Sequence, residues 1–276
     1  MDIETSNDPE AFSEFENTGW NEISVAYELQ FGPLTSQSTS TVVEAAQVES
    51  GTRFLDVCTG PGMLAEEAAK IGADVSGLDF SEEALAIARR NVPGATFHQG
   101  DAQELPFDEN SFDSVVCGFG IIHVPDPQKA LREMYRVLKP GGRIALSVWE
   151  APGPSNGFGL LYGSIKAHGD LSVPLPHGPD FFQFSDETRL SNLLESSGFN
   201  DVSVKTAEQF WNFEEPSELV SCITDSTVRA RGLLSAQTEA NRQSIIEAVI
   251  SGLEKFRVDV GKYKVPMHAL VGSGSK

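Results

Sequence analysis

Asp56 stands inside the apolar run Arg53-Phe54-Leu55-Asp56-Val57, and the turn Cys58-Thr59-Gly60-Pro61-Gly62 follows it directly. A helical pattern continues from Met63 to Ile71. Strand, glycine turn and helix in that order turn backbone N–H groups at a helix N-terminus toward a ligand. A carboxylate buried just ahead of such a turn repels a pyrophosphate but suits a ligand carrying an ammonium or sulfonium cation. Asp79, ending the apolar segment Ala73–Asp79, is placed to accept from two ribose hydroxyls, with Phe80 beside it to lie against an adenine face. Asp101, in Gly100-Asp101-Ala102 after the short strand Thr96–Gln99, can accept from an adenine amino group. The candidate base is His123, just beyond the strand Ser111–Cys117, on the side of a parallel sheet where ligands sit. An imidazole, titrating near ~6.5 when unperturbed, suits proton removal around neutrality. The bland reading of His123 is a loop residue that holds the turn Val124-Pro125-Asp126-Pro127 in place.

These residues need a sheet to carry them. Ser81 is a hydroxyl cap before the acidic first turn Glu82-Glu83, leading into a helix over Ala84–Arg90. Ala130, Leu131, Met134, Val137 and Leu138 lie on one face of a helix over Asp126–Leu138, which Lys139-Pro140-Gly141-Gly142 stops. Arg143–Glu150 is a fifth strand. Beyond it come a turn-rich loop at 151–157, a helix over Phe158–Ala167 and a proline-bearing stretch at 168–179. A helix capped by Ser185 then runs to about Ser197. Strands at Asp201–Phe210 and Tyr263–Gly272 flank a helical insertion at about 216–256. The pattern predicts an α/β fold: a doubly wound, seven-stranded, mostly parallel sheet. Residues 1–50 form a helical cap, disordered up to about Asp8 and aromatic-rich after it. Residues 51–150 form the cofactor core, and 151–276 the remainder. The insertion reads equally as a lid over an acceptor pocket and as a dimerisation element or padding.

Five motifs now stand in order: D-V-C-T-G-P-G (56–62), L-D-F-S (78–81), G-D-A (100–102), F-D-S-V-V (112–116) and L-K-P-G-G-R (138–143). Over roughly residues 50–150 the chain resembles the class I S-adenosylmethionine (SAM)-dependent methyltransferases, the broad group that includes the ubiquinone and menaquinone C-methyltransferases. The resemblance implies one antiparallel strand in the seven-stranded sheet, SAM as cofactor and S-adenosylhomocysteine as product. It implies that Asp56, Thr59, Gly60 and Gly62 meet the methionine moiety and that Asp79 holds the ribose. Phe80, Asp101 and Ala102 would frame the adenine, and backbone near Gly118 would meet the amino-acid end. In the family a W…A-x-x-Y pattern on an N-terminal helix covers the methionine end. Trp20 and Ala26-Tyr27 match it loosely, which makes Tyr27 a contact residue. The quinone enzymes carry an Arg-Asn pair where this chain has Ile122-His123, a departure that weakens any transfer of quinone chemistry. Methyl transfer from a sulfonium is an in-line displacement, so the protein must mainly hold donor and acceptor close and dry. A base is needed only where an O, N or C acceptor must lose a proton.

Other readings stay open on the residues alone. Gly60-x-Gly62-x-x-Ala65 with Asp79 also fits the dinucleotide fingerprint of an NAD-dependent oxidoreductase, which leaves Asp56 and Leu138–Arg143 without a role. A SAM-binding subunit that no longer methylates would keep every motif. No Asn/Asp-Pro-Pro-Tyr/Phe motif follows the fourth strand, as amide-nitrogen modification would require. The formal charge of −20 argues against a nucleic-acid partner, whose phosphates need Lys and Arg. Cys58, Cys117 and Cys222 show no metal spacing, and no metal is expected. No leader-like or membrane-spanning run stands out, so the expectation is a cytoplasmic monomer or homodimer acting on a small molecule. His98 and His268 read as structural and His168 and His177 as loop residues. Phe158, Tyr162, Phe181, Phe182, Phe184 and Trp211 read equally as pocket walls and as core.

Overall fold

The computed structural model describes residues 8–276; the expected disorder ahead of Asp8 lies outside the described residues. In chain order the strands are β1 (Arg53–Val57), β2 (Asp74–Asp79), β3 (Thr96–Gln99), β4 (Phe112–Gly118), β5 (Leu138–Trp149), β6 (Asn200–Ala207), β7 (Phe210–Phe213), β8 (Arg257–Asp259), β9 (Lys262–Pro266) and β10 (Ala269–Ser275). Every residue of β1 after Arg53 is buried, which is what a strand covered on both faces requires. The main sheet has seven strands in the order β3-β2-β1-β4-β5-β10-β6. The first five run parallel, and β10 is antiparallel to both its neighbours. Strand order reverses between β1 and β4, and such a reversal opens a ligand crevice at the carboxyl ends.

The helices are α1 (Pro9–Ala26), α2 (Gly32–Thr35), α3 (Thr39–Ala45), α4 (Met63–Ile71), α5 (Glu82–Asn91), α6 (Pro127–Val137), α7 (Gly157–His168), α8 (Glu187–Ser196), α9 (Pro216–Ser226), α10 (Arg229–Ser235) and α11 (Glu239–Leu253). Asp8 caps α1 by accepting from the Glu10 and Ala11 N–H groups, both at 3.1 Å. The helix then widens into a π-turn over Tyr27–Phe31, an irregularity that clusters at functional sites. Helix α9, the first of the insertion, packs on α1 and its π-turn, and α11 packs on α7. The insertion therefore rests on the N-terminal segment beside the crevice.

Three details differ from the sequence reading. The strands expected at Asp201–Phe210 and Tyr263–Gly272 each break in two, and β7, β9 and β8 form a separate three-stranded sheet. On β9 only alternate residues are buried, Tyr263 and Val265, whereas β10 is buried from Ala269 to Gly274. One continuous strand cannot serve a one-faced and a two-faced sheet. The crossing is pinned by Gln209, whose N–H donates to His268 Nδ1 at 3.2 Å and whose side-chain amide donates to the Met267 carbonyl at 3.0 Å. His268 thus ties the two chain crossings together and does not lie on the last strand. Second, β5 starts at Leu138: the expected stop at Lys139–Gly142 is taken into the strand through a register shift, with Gly141 at φ +80°. Third, Asp186 and not Ser185 caps α8, accepting from the Arg189 N–H at 2.9 Å. The Ser185 hydroxyl donates instead to the Phe182 carbonyl.

Candidate functional site

Cys58 and Phe119, the residues that leave the facing strands β1 and β4, both sit at φ +58°. Left-handed backbone at a non-glycine residue is strained, and such strain concentrates at ligand sites. Between them lies the crevice. A Cβ on Gly120 would fall 2.2 Å from the Cys58 Cβ, so only glycine lets the two strand ends approach. Gly62 turns at φ +89° into α4, with Ala88 of α5 about a methyl group away.

The crevice brings together Gly60, Asp79, Phe80, Asp101, Ala102 and Gly118, and Tyr27 and His123 also line it. Asp56 and Thr59 are not in it. They line a smaller adjoining recess that Gly118 shares, and Gly62 lines neither. Asp79 accepts from the Gly60 N–H at 2.8 Å and the Ser81 N–H at 2.9 Å, which fixes the glycine turn to the end of β2. Burial raises its carboxyl above the usual range, and those backbone donors hold the rise in check. Asp101 accepts from the Gln103 N–H at 2.8 Å.

Asp56 is 1% exposed, and one of its oxygens is well served: the Thr59 hydroxyl donates at 2.7 Å and the Ala65 N–H at 3.2 Å. The other, Oδ1, has no hydrogen-bond partner among the described residues. Burial pushes this carboxyl up to about 7, opposed by its two donors and assisted by nearby Asp79. Ser147 Oγ, equally buried and equally unpartnered, faces the same recess. Ser147 was missed in the sequence, because a lone serine inside an apolar strand carries no motif.

A second buried carboxylate was also missed. Glu16, 1% exposed on α1, lies 2.9 Å from His123 Nδ1 and accepts from Arg229 Nε at 2.8 Å and Trp20 Nε1 at 3.1 Å. Burial works to raise Glu16, but His123 and Arg229 outweigh it and hold the carboxyl below its ordinary value. The signal was present: Glu16 falls at helical spacing with buried Phe12 and Ile23, an acid inside an apolar stripe. His123 ends a 3₁₀ turn, Gly120–His123, and its ring is walled edge-on by Trp20 at 5.2 Å and Phe181 at 5.6 Å. Tyr27 stacks on Phe31 at 5.6 Å and meets Trp20 edge-on. Burial pushes its hydroxyl up to about 12, so it stays a neutral donor. Of the remaining aromatics, Phe158, Tyr162, Phe181 and Phe182 pack on one another, while Trp211 packs on Phe31. Among the described residues there is no cluster of metal-ligating side chains, and no helix is long and apolar enough to cross a membrane.

Fold and crevice together define a doubly wound α/β protein with its ligand site at the switch point. A family model described as a methyltransferase domain matches residues 55–146. The demethylmenaquinone methyltransferase of Renibacterium salmoninarum is 45% identical over 176 residues, 59% of this chain and 73% of that protein. The enzyme of the same name from Listeria welshimeri is 51% identical over 108 residues, 36% of this chain and 45% of that protein. The chain thus spans less than half the length of the Listeria relative. Among solved structures, a Haemonchus contortus phosphoethanolamine N-methyltransferase aligns with TM-score 0.58 at 21% identity, over 98% of this chain and 61% of that one. A Bacillus halodurans protein described as a methyltransferase aligns at 0.55 and 22%, over 86% and 98%. A [4+2]-cyclase aligns at 0.52 and 20%, over 87% and 81%. At these identities the structural likeness is one of fold, and the cyclase shows that one fold serves more than one reaction. The chain belongs to the class I SAM-dependent methyltransferases, and the oxidoreductase reading of the Gly60–Gly62 turn is set aside.

Proposed function

We propose that the protein binds SAM in the switch-point crevice and transfers its methyl group to a small aromatic acceptor that loses a proton, of the phenol or quinol type. The observation that carries this reading is the 2.9 Å contact between His123 Nδ1 and the buried Glu16. An ionised carboxylate can only accept, so Nδ1 carries the hydrogen; in the neutral ring Nε2 is then left with its lone pair. A carboxylate-oriented imidazole lining the crevice is built to take a proton.

Bound SAM supplies a methyl group already activated by its sulfonium charge. The residues present fit it. Asp79 offers an acid to the ribose hydroxyls, while Phe80, Asp101 and Ala102 surround the adenine position. Asp56 Oδ1 and Ser147 Oγ, both without partners, suit the ammonium of the methionine end, directly or through a water. Tyr27 and Trp20 line the crevice and exclude water there. The name of the relatives, demethylmenaquinone methyltransferase, supports an acceptor of the quinone type. Ile122-His123 stands where the resemblance implies an Arg-Asn pair in the quinone enzymes, so the proton-losing acceptor rests on the Glu16–His123 contact and not on that name.

The test pairs calorimetric titration with SAM and NAD(H) and labelled-methyl transfer to a panel of phenols and quinols. SAM alone should bind, and H123Q should lower turnover by about 10²–10⁴-fold with SAM affinity unchanged. A variant with wild-type turnover removes His123 as base. Binding without transfer to any acceptor would leave a SAM-binding subunit.

A further inference from the structure

Arg229 lies on α10, inside the insertion, 213 residues from the helix-α1 residue it binds. Its Nε donates to Glu16 Oε1 at 2.8 Å and its Nη1 to the Pro179 carbonyl at 2.8 Å. Nη2 reaches toward the Ile122 carbonyl at 3.4 Å, the residue directly before His123. The guanidinium lies 4.6 Å from the Phe12 ring centre and 5.6 Å from that of Phe181. Its side chain is 16% exposed. A planar fork that binds three chain segments while stacked between two rings is a use of arginine that lysine cannot reproduce.

The two oxygens of Glu16 are divided between two partners: Oε1 serves Arg229, and Oε2 serves His123 and Trp20. The carboxylate charge is therefore already answered by a fixed cation that cannot deprotonate. Resting on the proposed role of His123 as base, the geometry points to Arg229 as a positioning residue that keeps this imidazole neutral and aimed. The insertion thereby contributes to the chemistry of the crevice.

The physical reason is a charge count. With Arg229 present, a protonated His123 makes two cations on one carboxylate; without it, the same proton makes a neutral pair. Removing Arg229 must favour imidazolium, and removing the Glu16 charge must disfavour it. The other ionisable groups toward the ring are Asp79 at the end of β2 and Asp101, Tyr27 and Cys58 in the crevice lining, and neither substitution changes them. Trp20 and Phe181 supply only ring edges.

The experiment is an NMR titration of the histidine ring signals in the full chain. Five histidines are present, and the His123 signal is assigned by its loss in H123Q. In R229M the His123 midpoint should rise by about one pH unit, and in E16Q it should fall by a similar amount. R229K restores the charge without the fork: its midpoint should return to that of the wild type, while kcat stays reduced and the KM for SAM is unchanged. The acid limb of the kcat/KM profile should move with the NMR midpoint in each variant. Unmoved midpoints in folded R229M and E16Q overturn the proposal, and so does movement in the same direction in both. The opposite signs let either variant carry the test if the other fails to fold. The NMR arm does not depend on turnover, so an inactive wild type would sink the proposed function while leaving the charge coupling decided separately.

Discussion

Glu16 and Asp56 are both 1% exposed carboxylates beside the same crevice, yet their surroundings push them in opposite directions. Glu16 is met by a histidine, an arginine and an indole N–H, and is held below its ordinary value. Asp56 has a hydroxyl and one backbone N–H on one oxygen and, among the described residues, no partner on the other, and burial carries it up to about 7. One acid is completed by the protein itself; the other is left with an open valence. In the proposed site the first would orient the acceptor side, and the second would meet the cation of the donor.

That contrast can be broken most severely at Glu16. Glu16→Ala leaves the half-buried Arg229 without its counter-ion and should cost up to about 3 kcal/mol of stability, read by chemical denaturation. Its pH signature is on the acid side. A carboxyl lowered on folding contributes stability that is present above its unfolded value and lost as pH falls through the folded one. A smaller effect is expected at Asp79, where Asp79→Ala should weaken SAM binding by about 1–3 kcal/mol through lost charge-assisted bonds. An unchanged calorimetric Kd would remove its ribose role.

The smallest effect sharpens the comparison most. Asp56→Asn should weaken SAM by only about 1 kcal/mol, but it should abolish a pH dependence. The Asp56 carboxyl is raised on folding, so the folded state holds its proton more tightly than the unfolded chain. The stability of the ligand-free protein should fall as pH rises from the ordinary carboxylate range through about 7. A bound cation favours ionised Asp56, so SAM affinity should climb over the same window. Both slopes should flatten in the Asn variant, as followed by melting curves and titrations at stepped pH.

The residues proposed for the donor side stood out in the sequence because their signals are local. Asp56 to Gly62, Asp79 with Phe80, and Asp101 with Ala102 each occupy a few consecutive residues at a strand end, and periodicity locates the strands. The seven strands followed from the same reasoning, and the single antiparallel one from the family resemblance. The acceptor side was not legible beyond His123. Glu16 and Arg229 sit in helices with no motif around them, and only packing of the insertion on α1 brings them together. The three-stranded sheet was hidden because Trp211, Tyr263 and Val265 continue the apolar character of the neighbouring strands. Only the cross-links of Gln209 and His268 mark the break.

The span of the Glu16–Arg229 contact bears on how the molecule assembles. The links that build the donor side close short stretches of chain, such as the 19 residues between Gly60 and Asp79. The acceptor side closes over 107 and 213 residues, and ordering longer stretches costs more chain entropy before any contact repays it. A refolding chain is therefore expected to close the proposed nucleoside cradle before it joins His123 to Glu16 and Arg229, so the two halves of the site mature at different times.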